Sequence, residues 1–285
     1  MPVELVRTTT SDGLTLDGAW QPASPAELTL DAACVVHGTG SNFYSSTFME
    51  MLAANLHGLG ISVARINTRG HDGVSTAVTA LGPSRQGAAF EAIDDCRHDL
   101  AGWAEWIRKS SGARLLFLGH SMGALKCLYA AAVQASLKPA AIVAISPPHL
   151  SYEHFCRSAK ADVFRETYRR AERLAASENP GLMEVQFPLP MFISPAGYVE
   201  KYGPDERYNL VRFVSKITCP VLFLFGQLEV EQGVAFQRLP EELRKLKVGS
   251  VEIIAGADHF YTGVRPAAWA AIEKWFQTLI AEPDA

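Results

Sequence analysis

Hydrophobic and polar positions keep one rhythm over most of the chain and lose it in a single stretch. Residues 3–7 and 14–20 read as two strands joined by the turn signal Ser11-Asp12-Gly13, a hairpin at the start. Short apolar runs follow at 33–36, 61–66, 115–118, 140–145, 220–225 and 251–254. Between them lie stretches with helical spacing at 46–59, 90–109, 122–136, 232–246 and 267–281. Within 90–109, Ile93, Leu100, Trp103 and Ile107 share one side. Apolar runs this short, alternating with helices, predict βα units around a parallel sheet covered on both faces. The opening hairpin would add antiparallel strands at one edge.

The rhythm breaks between residues 150 and 216. The first half of that stretch is charged and helical in spacing. The second half is rich in proline, methionine and aromatics, as in Phe187-Pro188-Leu189-Pro190-Met191-Phe192. The expectation is one α/β catalytic domain built from residues 1–149 and 217–285, with an inserted helical cap at 150–216. Open α/β sheets bind ligands at the carboxyl ends of their strands, which is where such a cap would lie. The insert reads as too short and too polar to need a core of its own.

Composition narrows the function classes. With 285 residues, 48% hydrophobic and 20% charged, the chain can bury a full core and is too apolar for disorder. A net charge of −4 with scattered Lys and Arg argues against a nucleic-acid binder. No apolar run approaches the ~20 residues that span a bilayer. The opening MPVELVRTTTSDG lacks the apolar core of an export signal. Cys34, Cys96, Cys127, Cys156 and Cys219 are odd in number and lack CxxC spacing, which fits reduced thiols and a cytoplasmic location. There is neither HExxH-type spacing nor a G-x-G-x-x-G fingerprint, so no metal and no cofactor is expected. The expected partner is a small molecule, and the sequence carries no signal for an oligomeric state.

The segment that carries chemistry is Gly119-His120-Ser121-Met122-Gly123. It follows an apolar run and opens a helical one, the context of a G-x-S-x-G nucleophile elbow. A sharp strand-to-helix turn presents the Ser121 hydroxyl above the sheet, and the flanking glycines let strand and helix approach. The backbone N–H of Met122, directly after the nucleophile, is a candidate oxyanion donor. A serine hydroxyl needs a base to become a nucleophile.

On this elbow, on His37-Gly38-Thr39-Gly40 and on Arg69-Gly70-His71, the sequence resembles the α/β-hydrolase superfamily over nearly its whole length. The resemblance is to its capped esterase, lipase and serine-peptidase-like branch, with some similarity to type II thioesterases around the elbow. It implies the chain order nucleophile, acid, base. His259, in Gly256-Ala257-Asp258-His259-Phe260 after the last strand, stands where the base is implied. The acid is implied after the strand at 220–225, where the usual pattern ends in Asp; here Gly226-Gln227-Leu228-Glu229 matches it with Glu229. Glu231 is the neighbouring alternative, and Asp258 more naturally shapes the loop of His259. Thr39 matches the second oxyanion donor. The Arg69 turn reads as structural. Phe43, Tyr44, Phe187, Met191 and Phe192 are candidate substrate contacts, although the same side chains would serve equally as packing. The resulting expectation is a serine esterase with a Ser121–Glu229–His259 triad and an acyl-enzyme intermediate. Thioester, amide and C–C bond hydrolysis use the same elbow, and a non-catalytic binding protein is the alternative of another class.

Overall fold

The structure is a computed structural model and describes residues 3–24, 30–79, 82–112 and 114–281. It begins with β1 (Glu4–Thr9), β2 (Thr15–Gln21), β3 (Ala32–Val36), α1 (Thr47–Gly58) and β4 (Ser62–Ile66). A small hairpin, β5 (Ser75–Thr79) and β6 (Gly82–Gln86), precedes α2 (Cys96–Ser111), β7 (Leu115–His120), α3 (Met122–Val133) and β8 (Ala141–Ile145). Next come α4 (Tyr152–Arg157), α5 (Ala161–Ala175), β9 (Met183–Val185), β10 (Met191–Ile193) and α6 (Pro195–Tyr202). The chain closes with β11 (Val221–Gly226), α7 (Gln227–Gln232), α8 (Leu239–Leu246), β12 (Ser250–Ile254) and α9 (Arg265–Ala281).

Eight strands form the central sheet in the order β1-β2-β4-β3-β7-β8-β11-β12. The pairs β1–β2 and β2–β4 are antiparallel, and every pair from β4 to β12 is parallel. Successive side chains of a strand point to opposite faces. In β7, Leu115 and Phe117 enter one core while Leu116 and Leu118 enter the other. In β11, Val221, Phe223 and Phe225 oppose Leu222 and Leu224 in the same way. Helices α2 and α3 cover the first face through Leu100, Trp103, Leu125 and Leu128; α1 and α9 cover the second through Phe48, Leu52, Ile272 and Phe276. Each such buried side chain contributes about 1.5–3 kcal/mol, so this apolar alternation drives the layering.

The segment between β8 and β11 adds no strand to the sheet. It pairs β9 with β10 in a short antiparallel ribbon and packs Phe155, Phe164 and Phe187 against one another, with ring centroids 5.0–5.4 Å apart. This aromatic cluster is not a separate core: it is continuous with the α2–α3 face of the sheet.

Two predicted helices are shorter or broken. The one read over 90–109 begins only at Cys96; before it the backbone runs through separate turns, with Phe90 and Glu91 N–H groups donating to Gly87 O and Cys96 N–H to Ile93 O. The one read over 232–246 is α8 alone, since Gly233 ends α7 by turning to an extended backbone at φ −89° and ψ 114°, and α8 starts afresh with Pro240 in its first turn. No helix among the described residues is long and apolar enough to cross a membrane.

Candidate active site

Strand β7 ends at His120, and the chain enters α3 through Ser121 with φ 57° and ψ −124°. A positive φ is strained for a serine. The strain is held by neighbours: Ser121 N–H donates to Ile145 O at 2.8 Å, while Ser121 O accepts from Ala124 and Leu125. Glycine is required around the turn. A Cβ at Gly119 would lie 2.5 Å from Ala124 N, and one at Gly123 would run into the carbonyl oxygens of Val36 and His37. A Cβ at Gly38 would lie 3.1 Å from the Cβ of Ser121, so the loop after β3 packs directly on Ser121. That loop is fixed by His37, whose Nδ1–H donates to Gly38 O at 2.8 Å while Nε2 accepts from Thr68 N–H at 3.2 Å. Burial and the nearby Lys126 ammonium push the His37 imidazole down to about 3, so it is neutral, as this bonding requires.

Glu229 is the third residue of α7, and its buried carboxylate reaches back to the start of its own helix. Oε1 accepts from Gly226 N–H at 2.7 Å and from Ser146 Oγ at 2.6 Å. Oε2 accepts from His259 Nδ1–H at 2.6 Å. The tautomer is assigned from this partner, since a carboxylate can only accept; Nε2 of His259 is then a free acceptor. Tyr261 Oη, 3.0 Å from Ser146 Oγ, donates to it, because the Ser146 hydrogen is committed to Glu229. Glu231, by contrast, is held on the surface by the Gln227 side chain at 2.9 Å. Asp258 Oδ1 accepts from Phe260 and Thr262 N–H groups, each at 2.9 Å, and so shapes the loop of His259. His120 Nε2–H donates to the carbonyl of His259 at 2.8 Å.

Ser121 and His259 face two lobes of one cleft, and Thr39 and Leu189 line both lobes with them. The two side chains are not hydrogen-bonded to each other here; such contacts often tighten only with substrate. The smaller lobe, about 180 Å³, is walled by Met122, Pro148, Leu150, Tyr202, Val234 and Phe236 among others. The larger, about 510 Å³, carries the hydroxyls of Ser41, Ser45, Ser46 and Thr47 and the guanidinium of Arg265. Among the described residues, the backbone N–H groups of Thr39 and Met122 have no partner in the chain.

Ser121, Glu229, His259, Thr39 and Met122 are thus brought together. The five side chains read as substrate contacts are not. Phe187 is buried in the aromatic cluster of the insertion, Tyr44 and Phe192 are exposed, and neither Phe43 nor Met191 is among the residues lining the two lobes. Sequence reasoning missed Ser146, Tyr261, His120 and Arg265. Ser146 alone carried a trace, as the residue that ends β8 beside β11. The Arg69 turn is structural, with its guanidinium bonded to buried Asp99 at 2.9 Å and to Asp12 at 2.9 Å.

A mostly parallel eight-stranded sheet, a strained serine at a strand–helix turn and a buried carboxylate–histidine pair define a class of α/β enzyme scaffolds. The model of the alpha/beta hydrolase family matches residues 35–282, and the chain belongs to that family. No curated protein matches the sequence. Among solved structures, Est1E from Butyrivibrio proteoclasticus with ferulic acid bound is similar at 16% identity and TM-score 0.67, covering 96% of this chain and 99% of that one. GrgF, an alpha/beta hydrolase from Penicillium sp. sh18, is similar at 17% identity and TM-score 0.68, covering 99% and 100%. E-2-(acetamidomethylene)succinate hydrolase is similar at 21% identity and TM-score 0.60, covering 97% and 100%. At these identities the likeness is one of fold.

Proposed function

We propose that the protein is a serine hydrolase that cleaves carboxylic esters of small substrates through an acyl-enzyme, with Ser121, His259 and Glu229 as its triad. The observation that carries this reading is the 2.6 Å bond from His259 Nδ1 to the buried Glu229, in a cleft shared with the strained Ser121. In the first step Ser121 Oγ bonds to the ester carbon as its proton passes to His259 Nε2. Glu229 holds the imidazole in the required tautomer and stabilises the imidazolium. The carbonyl oxygen becomes an oxyanion facing the N–H groups of Met122 and Thr39, each worth about 3 kcal/mol in the transition state. The C–O bond to the alcohol breaks, and His259 returns its proton to the departing oxygen. Water, deprotonated by His259, then attacks the acyl-Ser121 ester, and the acid leaves as the proton returns to Ser121.

Residues 150–216 act in this reading as a cap, because Pro188, Leu189, Lys201 and Tyr202 help line the smaller lobe. That lobe has mostly apolar walls and suits the acyl group, which must stay while the alcohol departs. The larger lobe, with exposed Ser45, Thr47 and Phe260 on its rim, suits the leaving group. Thioesters present the same carbonyl and form a second arm of the test.

A fluorophosphonate probe should label the folded protein, and Ser121→Ala should abolish labelling and turnover of short p-nitrophenyl esters and acyl-thioesters. Glu229→Gln should lower kcat by about 10⁴, the cost of a wrong tautomer in a triad, while Glu231→Gln should change little. Absence of labelling in folded protein, or labelling that survives Ser121→Ala, would refute the assignment; a greater loss for Glu231→Gln would move the acid.

A further inference from the structure

The two lobes differ in chemistry, and the difference bears on the substrate. Besides Thr39 and Ser121, the larger lobe gathers the hydroxyls of Ser41, Ser45, Ser46 and Thr47 and one guanidinium, and no carboxylate is among its lining residues. Arg265 opens α9, and its head is held in place rather than free in solvent. Nη1 donates to Thr47 Oγ1 at 3.1 Å, Nε–H points to Phe260 O at 3.4 Å, and the guanidinium carbon lies 5.6 Å from the Phe48 ring centroid. These are its contacts; among the described residues it has no ion pair, and the Nη2 donors have no partner. Asp258, seven positions earlier by the sequence numbering, lies beyond ion-pair distance and accepts from its own loop. A fixed cation without a counter-charge, beside Ser121 and His259, is a ready receptor for an anion. The flat fork of a guanidinium matches a carboxylate better than a point charge does.

We propose that Arg265 recognises a carboxylate on the alcohol half of the substrate, so that the preferred esters join a compact apolar acyl group to an anionic alcohol. This rests on the esterase reading above and on its assignment of the larger lobe to the leaving group. Arg265 is a specificity residue in this account and takes no part in proton transfer. The hydroxyls of Ser41, Ser45 and Ser46 would bind further polar atoms of the same group.

The test compares two butyrate esters of equal size, 4-carboxyphenyl butyrate and its neutral isostere 4-carbamoylphenyl butyrate. The wild-type protein should favour the carboxylate in kcat/KM by about tenfold or more, as expected for a charge-assisted hydrogen-bond pair. The ratio should fall toward one in Arg265→Gln, remain partly raised in Arg265→Lys, and shrink with added salt. Thermal melting checks that the variants fold, and the wild-type ratio needs no variant. A wild-type ratio of one or below, or a ratio unchanged in Arg265→Gln, overturns the proposal while leaving the esterase reading intact. No turnover of either ester, with no labelling of Ser121, removes both.

Discussion

His120 ties the end of the strand that leads into Ser121 to the loop of His259, and it does so as a neutral ring. Its Nε2–H donates to His259 O, and burial, reinforced by the neighbouring His259 imidazole, pushes it down to about 3. His37 is pushed down to a similar value by burial and Lys126. In the unfolded chain a histidine takes up its proton near 6.5. Between that pH and about 3 the unfolded state therefore binds protons that the folded state refuses. The stability from these two rings is fully present above 6.5 and is lost as pH falls toward 3. Thermal unfolding should show a melting temperature that drops between pH 7 and 5, with a shallower drop in His120→Gln. An equal or steeper drop in the variant would count against this account. The same scale explains what was legible in the sequence. Ser121, Glu229 and His259 each sit in a local motif that can be read without the fold. Ser146, Tyr261 and His120 act through partners 83 to 139 positions away, and no local pattern encodes such a meeting.

At the level of elements, the elbow is a packing problem between β7, α3 and the loop after β3. Gly123 lies against the carbonyls of Val36 and His37, backbone atoms that cannot rotate away. Gly123→Ala should force these segments apart and cost about 1–3 kcal/mol or more, as overpacking does. Because Ser121 and the Thr39 N–H ride on the two segments being separated, kcat should fall further than the loss of folded protein explains. Urea unfolding with kinetics on the folded fraction measures both; a variant with unchanged midpoint and kcat would contradict the packing argument. The buried strands and the main helices were legible because apolar periodicity reports burial. The β5–β6 hairpin was not, since its positions alternate only between half-buried and exposed and carry no hydrophobic signature. The break between α7 and α8 was missed for a related reason. Helical spacing runs on through Gln232-Gly233, and it is the extended backbone of Gly233, at φ −89° and ψ 114°, that stops it.

Over the whole molecule, the insertion is joined to the central domain by a buried charge cluster as well as by aromatic packing. Glu91, before α2, lies 2.5 Å from Lys126 of α3 and 3.3 Å from Lys201 of α6, and all three side chains are at most 3% exposed. Burial opposes ionisation of Glu91, but the attraction of the two lysines outweighs it and holds the carboxylate below its usual range. Lys126 also donates to Thr68 Oγ1 at 3.0 Å, next to His37, so the cluster connects the insertion to the loop that carries Thr39. Desolvating three charges is expensive, and such a cluster adds little net stability over a well-packed apolar one. Removing one partner is a different matter, because the others stay buried and unpaired. Glu91→Gln should therefore cost about 3–5 kcal/mol, on the order of 10 °C in Tm for a chain of this size. The triple change Glu91→Leu, Lys126→Met, Lys201→Met should recover much of that loss. Equal melting temperatures for wild type and Glu91→Gln would mean that water reaches the cluster. A triple variant less stable than Glu91→Gln would mean that the ion pairs themselves hold the insertion to the sheet.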